Sequence, residues 1–382
     1  MEQRVKVSRE RVAAADARHV KVFGDRDTFA GWPFNNGFEQ YGDGNELVVS
    51  YSRYRCRMKI RPDGSEAFWT GPHPDTGRRR SLDGGKTWRR EGAFPWNAAA
   101  VGTNQADGDL STLEDAWRDR IVRTLPIDPF NRDHGITTNT ASVGGTSRSF
   151  VFTTRDRGRT WTGPSFLPMD GVKFSHNRPV WLVRPDGVLL TFPTVARGDG
   201  TEGRSYVYAS FDGGVTWNYL SVLAQSDDYM LIMPTAVNLP SGRMLAAVRV
   251  QQPPHGLWTE LYDSTDGARS WRFIGRLNDH GAPAQLLTLA DGRVAAVYGC
   301  RKPPFGIRAR VSEDAEGWRW GPEIILRDDG ASEDLGYPRG AVLPDGTVCV
   351  TYYFHEKQHP KPPDCDQFHW GVRSIFATRF RP

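Results

Sequence analysis

Short apolar runs separated by turn-forming residues make up most of the chain. Four segments share one form, in which two apolar runs flank a Pro-Asp-Gly, Ala-Asp-Gly or Pro-Ser-Gly turn, at 184–191, 239–246, 289–296 and 343–350. Glycine at this place permits the backbone of a tight hairpin, and short runs rich in β-branched residues favour strands. The pattern therefore predicts a chain built from β-hairpins.

A second repeated segment lies between these hairpins. It has the form Ser/Thr-x-Asp-x-Gly-x-Thr/Ser-Trp and occurs at 81–88, 154–161, 210–217 and 264–271, with a degenerate copy at 312–320. The fourth copy has Ala268 where the others have glycine. We call each copy an Asp box. It predicts a tight turn between two strands, in which the carboxylate accepts backbone N–H groups and the Trp packs beneath the turn.

The boxes recur at a spacing of roughly 50–70 residues, which indicates a repeat architecture whose units bury their faces against their neighbours. The predicted fold class is all-β, a six-bladed β-propeller with blades at 33–92, 131–166, 175–221, 230–276, 280–325 and 336–381. The last blade has three strands of its own. A short β run at 19–24 is expected to supply the fourth strand and close the ring.

The repeats extend almost to the end of the chain, so residues 1–382 are predicted to form one domain. Residues 93–130 interrupt the pattern as an insertion, and 110–121 have a helix-like composition. This insertion is expected to form a lid or rim element, with a plain surface decoration as the equal alternative.

Composition and charge exclude several classes of function. The net charge is only +4 and the arginines are scattered, which argues against nucleic acid as a partner. No run of about 18 apolar residues is present, so no membrane-spanning helix is expected. The first residues lack an apolar signal region, which predicts a cytoplasmic protein or a secreted one whose signal peptide has been removed. No organic cofactor is expected.

Candidate chemistry lies at the first residues of the inner strands, because these strands converge on the propeller axis. Three of the nine histidines, His134, His176 and His280, fall at such positions and are predicted to be catalytic. The alternative is that they only satisfy buried backbone carbonyls. A divalent metal on these three imidazoles is a further alternative, with Asp133 or Asp279 behind them, although no HxH or HxxxH pair supports it.

Tyr337 begins the last inner strand and is a fourth catalytic candidate. Arginines near the same strand starts indicate a pocket for a carboxylate, which a guanidinium binds in bidentate geometry. The adjoining loops contribute Arg53, Arg55, Arg197, Arg204, Arg249, Arg301 and Arg308. The residues predicted to bind substrate are Arg178, Arg249, Arg308, Arg339, Asn35 and Asn177.

Over nearly its whole length the chain resembles the sialidase-like, BNR-repeat β-propellers, through its Asp boxes. The resemblance implies that the boxes lie opposite the active site. It also implies a catalytic set of three arginines, a Tyr nucleophile assisted by a Glu, and an Asp acid/base. Tyr337 looks like the family's Tyr, and Arg249 and Arg308 fall where its second and third arginines are expected. The sequence departs from the pattern elsewhere: 31–35 contain no Arg, Met233 falls near the place of the Glu, and 51–61 show no obvious Asp.

These departures favour a different chemistry, β-elimination at a uronic acid, in which arginines neutralise the carboxylate and His or Tyr moves the proton. The segments 279–284, 298–309 and 334–339 look similar to the rhamnosyl-glucuronate lyases. The leading hypothesis is an enzyme that cleaves an acidic oligo- or polysaccharide by elimination, with His134 or His176 as base and Tyr337 as acid or nucleophile. The alternatives are an exo-sialidase-type hydrolase with Tyr337 as nucleophile, and a non-catalytic glycan-binding propeller.

Overall fold

A computed structural model describes residues 4–25, 28–60, 66–70, 75–92, 123–143, 146–169, 171–252, 256–356 and 372–382. The described residues form a six-bladed β-propeller whose blades are mainly antiparallel sheets, so the predicted fold class is confirmed. Of the predicted insertion, residues 93–122 lie outside the described residues. No helix within the described ranges is long and apolar enough to cross a membrane.

Three short strands precede the first blade, and the first three blades follow. The leading strands are β1 (Lys6–Val7), β2 (Arg11–Ala13) and β3 (Arg18–Phe23). Blade 1 contains β4 (Thr28–Gly31), helix α1 (Pro33–Asn36), β5 (Phe38–Tyr41), β6 (Glu46–Ile60), β7 (Glu66–Thr70), β8 (Asp75–Ser81) and β9 (Arg89–Arg90). Blade 2 contains β10 (Gly135–Val143), β11 (Thr146–Thr154) and β12 (Thr162–Phe166). Blade 3 contains β13 (Ser175–His176), β14 (Trp181–Val183), β15 (Leu189–Thr191), β16 (Thr194–Ala196), β17 (Glu202–Ser210) and β18 (Asn218–Ala224).

The last three blades are more regular. Blade 4 contains β19 (Met230–Asn238), β20 (Met244–Gln252), β21 (Gly256–Ser264) and β22 (Arg272–Asn278). Blade 5 contains β23 (Gly281–Thr288), β24 (Val294–Cys300), β25 (Gly306–Val311), β26 (Arg319–Trp320) and β27 (Glu323–Arg327). Blade 6 contains β28 (Gly336–Val342), β29 (Val348–His355) and β30 (Arg373–Phe380).

The N-terminal strand β3 closes the ring as predicted. It pairs antiparallel with β30 as the outer strand of blade 6, with His19 opposite Thr378. The edge of the last blade is therefore covered by the start of the chain, and the two ends of the sequence are held together by main-chain hydrogen bonds.

The central strands of the blades are buried on both of their faces. Strand β24 is buried along its whole length, and β20 is buried from Met244 to Val250. Each blade is packed between two neighbours, so both sides of its middle strands face apolar side chains. This arrangement explains why these segments are continuous apolar runs and do not alternate with polar residues.

The Asp boxes lie together on one face of the propeller, which we call the lower face. In the third box, Asp212 accepts hydrogen bonds from Val215 N at 3.1 Å, Thr216 N at 2.9 Å and the Thr216 hydroxyl at 2.6 Å. Trp217 is buried beneath the turn and donates to the Gly214 carbonyl at 3.2 Å. The inner strands of blades 3 to 6 begin on the opposite, upper face. Side chains near the first residues of these inner strands therefore lie together on the upper face, opposite the Asp boxes.

Candidate functional site

Five inner strands share an Xaa-Pro pair at the point where the strand is interrupted. The pairs begin at Trp32, Arg178, Met233, Ala282 and Tyr337. They coincide with helix α1, with the break between β13 and β14, and with register shifts in blades 4, 5 and 6. Three of the Xaa residues have a left-handed backbone, with φ of 57°, 53° and 53° at Trp32, Met233 and Tyr337. This conformation costs a non-glycine residue on the order of 1–3 kcal/mol, and such strain is concentrated at functional sites.

Tyr337 is held by an arginine from the second strand of blade 4. Arg249 is buried, and its Nη1 donates to the Tyr337 hydroxyl at 2.8 Å and lies 3.4 Å from the Sδ of Met233. Its Nη2 donates to Gln251 Oε1 at 2.7 Å. The guanidinium is thus fixed between two side chains, and one of its protons is directed at the phenol oxygen.

Two more guanidinium groups act on the same phenol. The guanidinium carbon of Arg301 lies 5.5 Å from the centre of the Tyr337 ring, while its Nη2 donates to the Leu335 carbonyl at 3.0 Å. Arg178 contributes a third positive charge. Burial alone would raise the pKa of Tyr337, but the charges of Arg249, Arg301 and Arg178 outweigh burial and lower the pKa below its usual value of 10.

The neighbouring Tyr353 lies beside a carboxylate, whereas Tyr337 lies beside arginines. The rings of Tyr337 and Tyr353 lie 5.6 Å apart, and the Tyr353 hydroxyl donates to Asp334 Oδ1 at 2.6 Å. Arg373 holds the other oxygen of Asp334 at 3.0 Å. Burial and the Asp334 carboxylate raise the pKa of Tyr353 well above 10. One tyrosine of the pair is therefore prepared to ionise while the other stays protonated, a division typical of acid–base sites.

An ion pair from blade 3 completes the polar part of the site. Arg178 binds the Glu202 carboxylate at 2.6 and 3.3 Å, and its Nε donates to Asn35 Oδ1 at 3.1 Å. His176 precedes Arg178 by two residues in the same inner strand. Burial, together with the charge of Arg178, lowers the pKa of His176 to about 3, so its imidazole is neutral near pH 7.

Aromatic rings pack around this polar group. Phe34 meets Tyr337 edge-on at 6.4 Å and is fully buried, whereas Trp32 is only partly buried and lies 6.5 Å from Tyr353. The site therefore combines charged donors, a neutral histidine and an apolar wall, which is the usual composition of a small-molecule site.

The predicted position of His134 is wrong. Gly135 pairs with Thr154, the first residue of an Asp box, and the Arg157 amide within that box donates to the Asp133 carbonyl at 2.8 Å. Strand β10 therefore occupies the second position of its blade and starts on the lower face. His134 lies there, where its Nδ1 accepts the Asp128 amide at 2.9 Å. It is not brought to Tyr337.

His280 is also turned away from the axis. Its Nε2 lies 3.0 Å from Glu323 on the outer strand of its own blade. Hydrogen bonds with the Cys300 thiol and with Glu323 raise the pKa of His280 to about 9. The three predicted histidines thus do not converge. Among the described residues, no group of three His, Cys, Asp or Glu side chains is placed to hold a metal ion.

Three predicted substrate-binding residues make their contacts away from the Tyr337 hydroxyl. Arg308 is 3% exposed and donates to the main-chain carbonyls of Arg327 and Pro304 inside blade 5. Arg339 lies over the ring of Phe34 and lines a cavity of about 500 Å³, whose lining also includes His134. Asn177 is 1% exposed and accepts from the Thr191 hydroxyl inside blade 3. Among the described residues, no hydrogen bond joins any of the three to Tyr337, so the structure does not place them with Arg249 at the phenol.

The structure therefore unites Asn35, Arg178, Arg249 and Tyr337, with His176 beside them, and adds Glu202 and Arg301. The sequence alone gives no signal for Glu202, and it groups Arg301 with several other loop arginines. The repeated Xaa-Pro pair is the signal that was missed. This pair marks the inner strands in the sequence without reference to the Asp boxes. The segment around His134 contains no such pair, which indicates that it does not begin an inner strand.

Three known proteins illustrate what the chain is similar to. A xyloglucanase from Paenibacillus sp is 25% identical over 302 residues, which cover 75% of this chain and 26% of that protein. The chain therefore spans about a quarter of that relative's length. A solved structure of a protein of unknown function from Dyadobacter fermentans DSM 18053 superimposes with a TM-score of 0.70 at 20% identity, covering 95% of this chain and 98% of that one.

The sialidase of Trypanosoma rangeli, solved in complex with the inhibitor DANA, superimposes with a TM-score of 0.59 at 13% identity, covering 96% of this chain and 60% of that one. At this identity the likeness shows the fold alone. The sequence itself matches the BNR repeat-like domain over residues 136–350, more than half of the chain. Together with the Asp boxes and the six blades, this match shows that the chain belongs to the BNR repeat-like, sialidase-like β-propeller family.

Proposed function

We propose that the protein is a carbohydrate-active enzyme that cleaves a glycosidic bond next to an acidic sugar by β-elimination, with Tyr337 as the reacting group. The observation that carries this proposal is the 2.8 Å hydrogen bond from Arg249 to the Tyr337 hydroxyl, within a cluster of three arginines. The similarity to a xyloglucanase and the sialidase-like fold support a saccharide as the substrate class.

The arginine cluster supports an acidic substrate. Glu202 pairs with Arg178, whereas no carboxylate among the described residues pairs with Arg249 or Arg301 at salt-bridge distance. A substrate carboxylate would supply the missing negative charge. Neutralising a uronate carboxylate makes the neighbouring C5 proton more acidic, which is the first requirement of elimination.

The proton would be moved by Tyr337. As its oxyanion, the phenol accepts the C5 proton; the C5–H electrons form the C4–C5 double bond, and the bond from C4 to the leaving oxygen breaks. The same phenol then returns the proton to the leaving oxygen, so no proton is gained or lost overall. The neutral imidazole of His176 is suited to accept or donate a hydrogen bond to a sugar hydroxyl without repelling the arginines.

A second candidate is hydrolysis with Tyr337 as nucleophile, as the sialidase-like fold suggests. The contact of Met233 with Arg249 weighs against it. Met233 lies near the position at which a Glu would assist the tyrosine, and a thioether cannot accept the phenol proton. The arginines stabilise the oxyanion in either reaction, so the products formed distinguish elimination from hydrolysis.

The test is to incubate the protein with uronate-terminated and sialate-terminated oligosaccharides and to follow two signals. Elimination produces the ultraviolet absorbance of the unsaturated uronate together with a new reducing end, and Tyr337→Phe abolishes both. A new reducing end without that absorbance would show that the enzyme acts by hydrolysis and not by elimination. Binding without either product, unaffected by Tyr337→Phe, would identify a glycan-binding propeller.

A further inference from the structure

We infer that the protein has a second, anion-binding pocket between blades 4 and 5, built for a sulfate or phosphate group. This site is separate from Tyr337 and does not depend on the proposed activity. It lies where the N-terminal segment 5–13 passes along the outer strands of two blades. The pocket has a volume of about 400 Å³, within the range of about 300–1,000 Å³ typical of small-molecule sites.

The N-terminal segment is fixed to both blades by main-chain hydrogen bonds. The Val5 amide donates to the Ile274 carbonyl of blade 4, and the Ser8 amide donates to the Trp320 carbonyl of blade 5. Strand β2 then pairs in parallel with β27. Gly275 has no side chain where Val5 packs, since a Cβ at this position would collide with the valine. The segment is therefore a fixed wall of the pocket.

Positive charge dominates the lining. Arg9 and Arg11 come from the N-terminal segment, Arg276 from β22 and Arg310 from β25. His280 also lines the pocket and carries a positive charge near pH 7, because its hydrogen bonds raise its pKa to about 9.

Two carboxylates offset this charge only in part. Asp279 lies 3.7 Å from Arg276 and is largely exposed. Glu323, which is buried behind the pocket, lies 3.2 Å from Arg11 and 3.0 Å from His280. Five positive groups therefore face two negative ones, and the excess suits a doubly charged anion better than a single carboxylate.

Two buried donors in the lining have no partner. Asn278 is 6% exposed, and its Oδ1 accepts the amides of His280 at 3.2 Å and Gly281 at 2.9 Å. This fixes the orientation of the amide and leaves Nδ2 without an acceptor. Arg310 is also 6% exposed and uses Nη1 to bind the Ser8 and Gly321 carbonyls, whereas its Nε has no partner. Buried donors without acceptors are rare in proteins, and a bound oxyanion would satisfy them.

The sulfate or phosphate group can be a free ion or an ester on a sugar. Calorimetric titration with sodium sulfate, sodium phosphate, glucose 6-sulfate and glucose 6-phosphate, at constant ionic strength set by sodium chloride, distinguishes these sources. We expect saturable binding of at least one probe. Tighter binding of the sugar ester identifies an esterified saccharide as the ligand, and equal or weaker binding of the ester identifies the free ion.

The key variant is Asn278→Asp, which keeps the Oδ1 acceptor in place and replaces the unpartnered donor by a negative oxygen. It is expected to weaken binding at least ten-fold. Arg9→Gln, at an exposed position, is expected to weaken binding several-fold without affecting folding. Arg89→Gln, at an exposed arginine on the outer strand of blade 1, serves as the charge-matched control. Binding that is absent in the parent protein, or equal in all variants, would overturn the inference.

Discussion

The Nη1 of Arg249 on blade 4 and the hydroxyl of Tyr337 on blade 6 lie 2.8 Å apart, across the propeller axis. The two residues are 88 positions apart in sequence. The bond stabilises the phenolate more than the phenol, because a guanidinium can only donate. The acidity of Tyr337 therefore depends on how the propeller fold positions Arg249. The chemistry proposed for the site depends on this hydrogen bond.

Removing the phenol oxygen tests the reacting group. Tyr337→Phe is expected to reduce kcat by about 10²–10⁴-fold, the usual contribution of proton transfer by a positioned side chain. KM should change only a few-fold, since the arginines remain. Tyr219→Phe, at a half-exposed tyrosine on the outer strand of blade 3, should leave both constants unchanged. A Tyr337→Phe enzyme with normal kcat would exclude this residue from the chemistry.

The pH dependence of activity should follow the ionisation of Tyr337. Because the arginines lower its pKa, activity should rise with pH as Tyr337 ionises, at a lower pH than an unperturbed tyrosine would require. Arg249→Gln removes one charge and the hydrogen bond, so the pKa of Tyr337 should rise and the ascending limb should move to higher pH. Arg249→Lys keeps the charge and should show a smaller displacement. The pKa is measured from tyrosinate absorbance, as the difference between each protein and its Tyr337→Phe counterpart. An unchanged pKa in Arg249→Gln would contradict the proposed electrostatic role.

His280 should make stability depend on pH. Its pKa rises on folding from 6.5 to about 9, so its contribution is complete below pH 6.5 and is lost as the pH rises through about 9. The parent protein should exceed His280→Gln in free energy of unfolding by about 1–2 kcal/mol at pH 6, allowing for the partial exposure of the ring. The difference should vanish above pH 9. Urea denaturation in chloride buffer, free of sulfate and phosphate, measures it. A difference that is constant with pH would show that the ring acts by packing alone.

The Asp boxes should matter for stability and not for chemistry. Asp212→Ala removes the acceptor of five hydrogen bonds, from Ser210, Val215 and Thr216, and is expected to lower the free energy of unfolding by about 2–3 kcal/mol. Asp227→Ala, at a largely exposed carboxylate, should have almost no effect. Thermal denaturation measures both. Since the boxes lie on the lower face, kcat of the folded variant should equal that of the parent. A selective loss of kcat would place the box in the site.

The sequence alone predicted the propeller, because each repeat contains the information for its own turns. The degenerate fifth Asp box shows that the turn forms even when several of the usual residues are replaced. Asp314 still accepts the amides of Glu316, Trp318 and Arg319, and Trp320 packs beneath the turn in place of the usual tryptophan. Ala268 adopts a φ of 71° where glycine would be easier. The closing strand could also be predicted, since an incomplete last blade requires a partner.

The site could be predicted only in part. Tyr337, Arg178 and Asn35 could be expected to lie near one another, because residues at the starts of inner strands must approach the axis. Arg249 lies near the end of a second strand and was predicted from the neighbouring loops and the family resemblance. His134 was misplaced because a strand that precedes an Asp box by one hairpin looks the same in sequence whether it is first or second in its blade. Only the pairing of Gly135 with Thr154 decides this.

Local signals thus determined the turns, the strands and the number of blades, because backbone hydrogen bonding and hydrophobic periodicity act over a few residues. The tertiary structure decided which way each polar side chain points. Arg308 and Arg339 are arginines near the same strand ends as Arg249 and Arg301, yet Arg308 binds main-chain carbonyls and Arg339 lines the cavity that His134 also lines. Their direction depends on strand register and on neighbours from other blades, and the propeller brings these together only when the ring has closed.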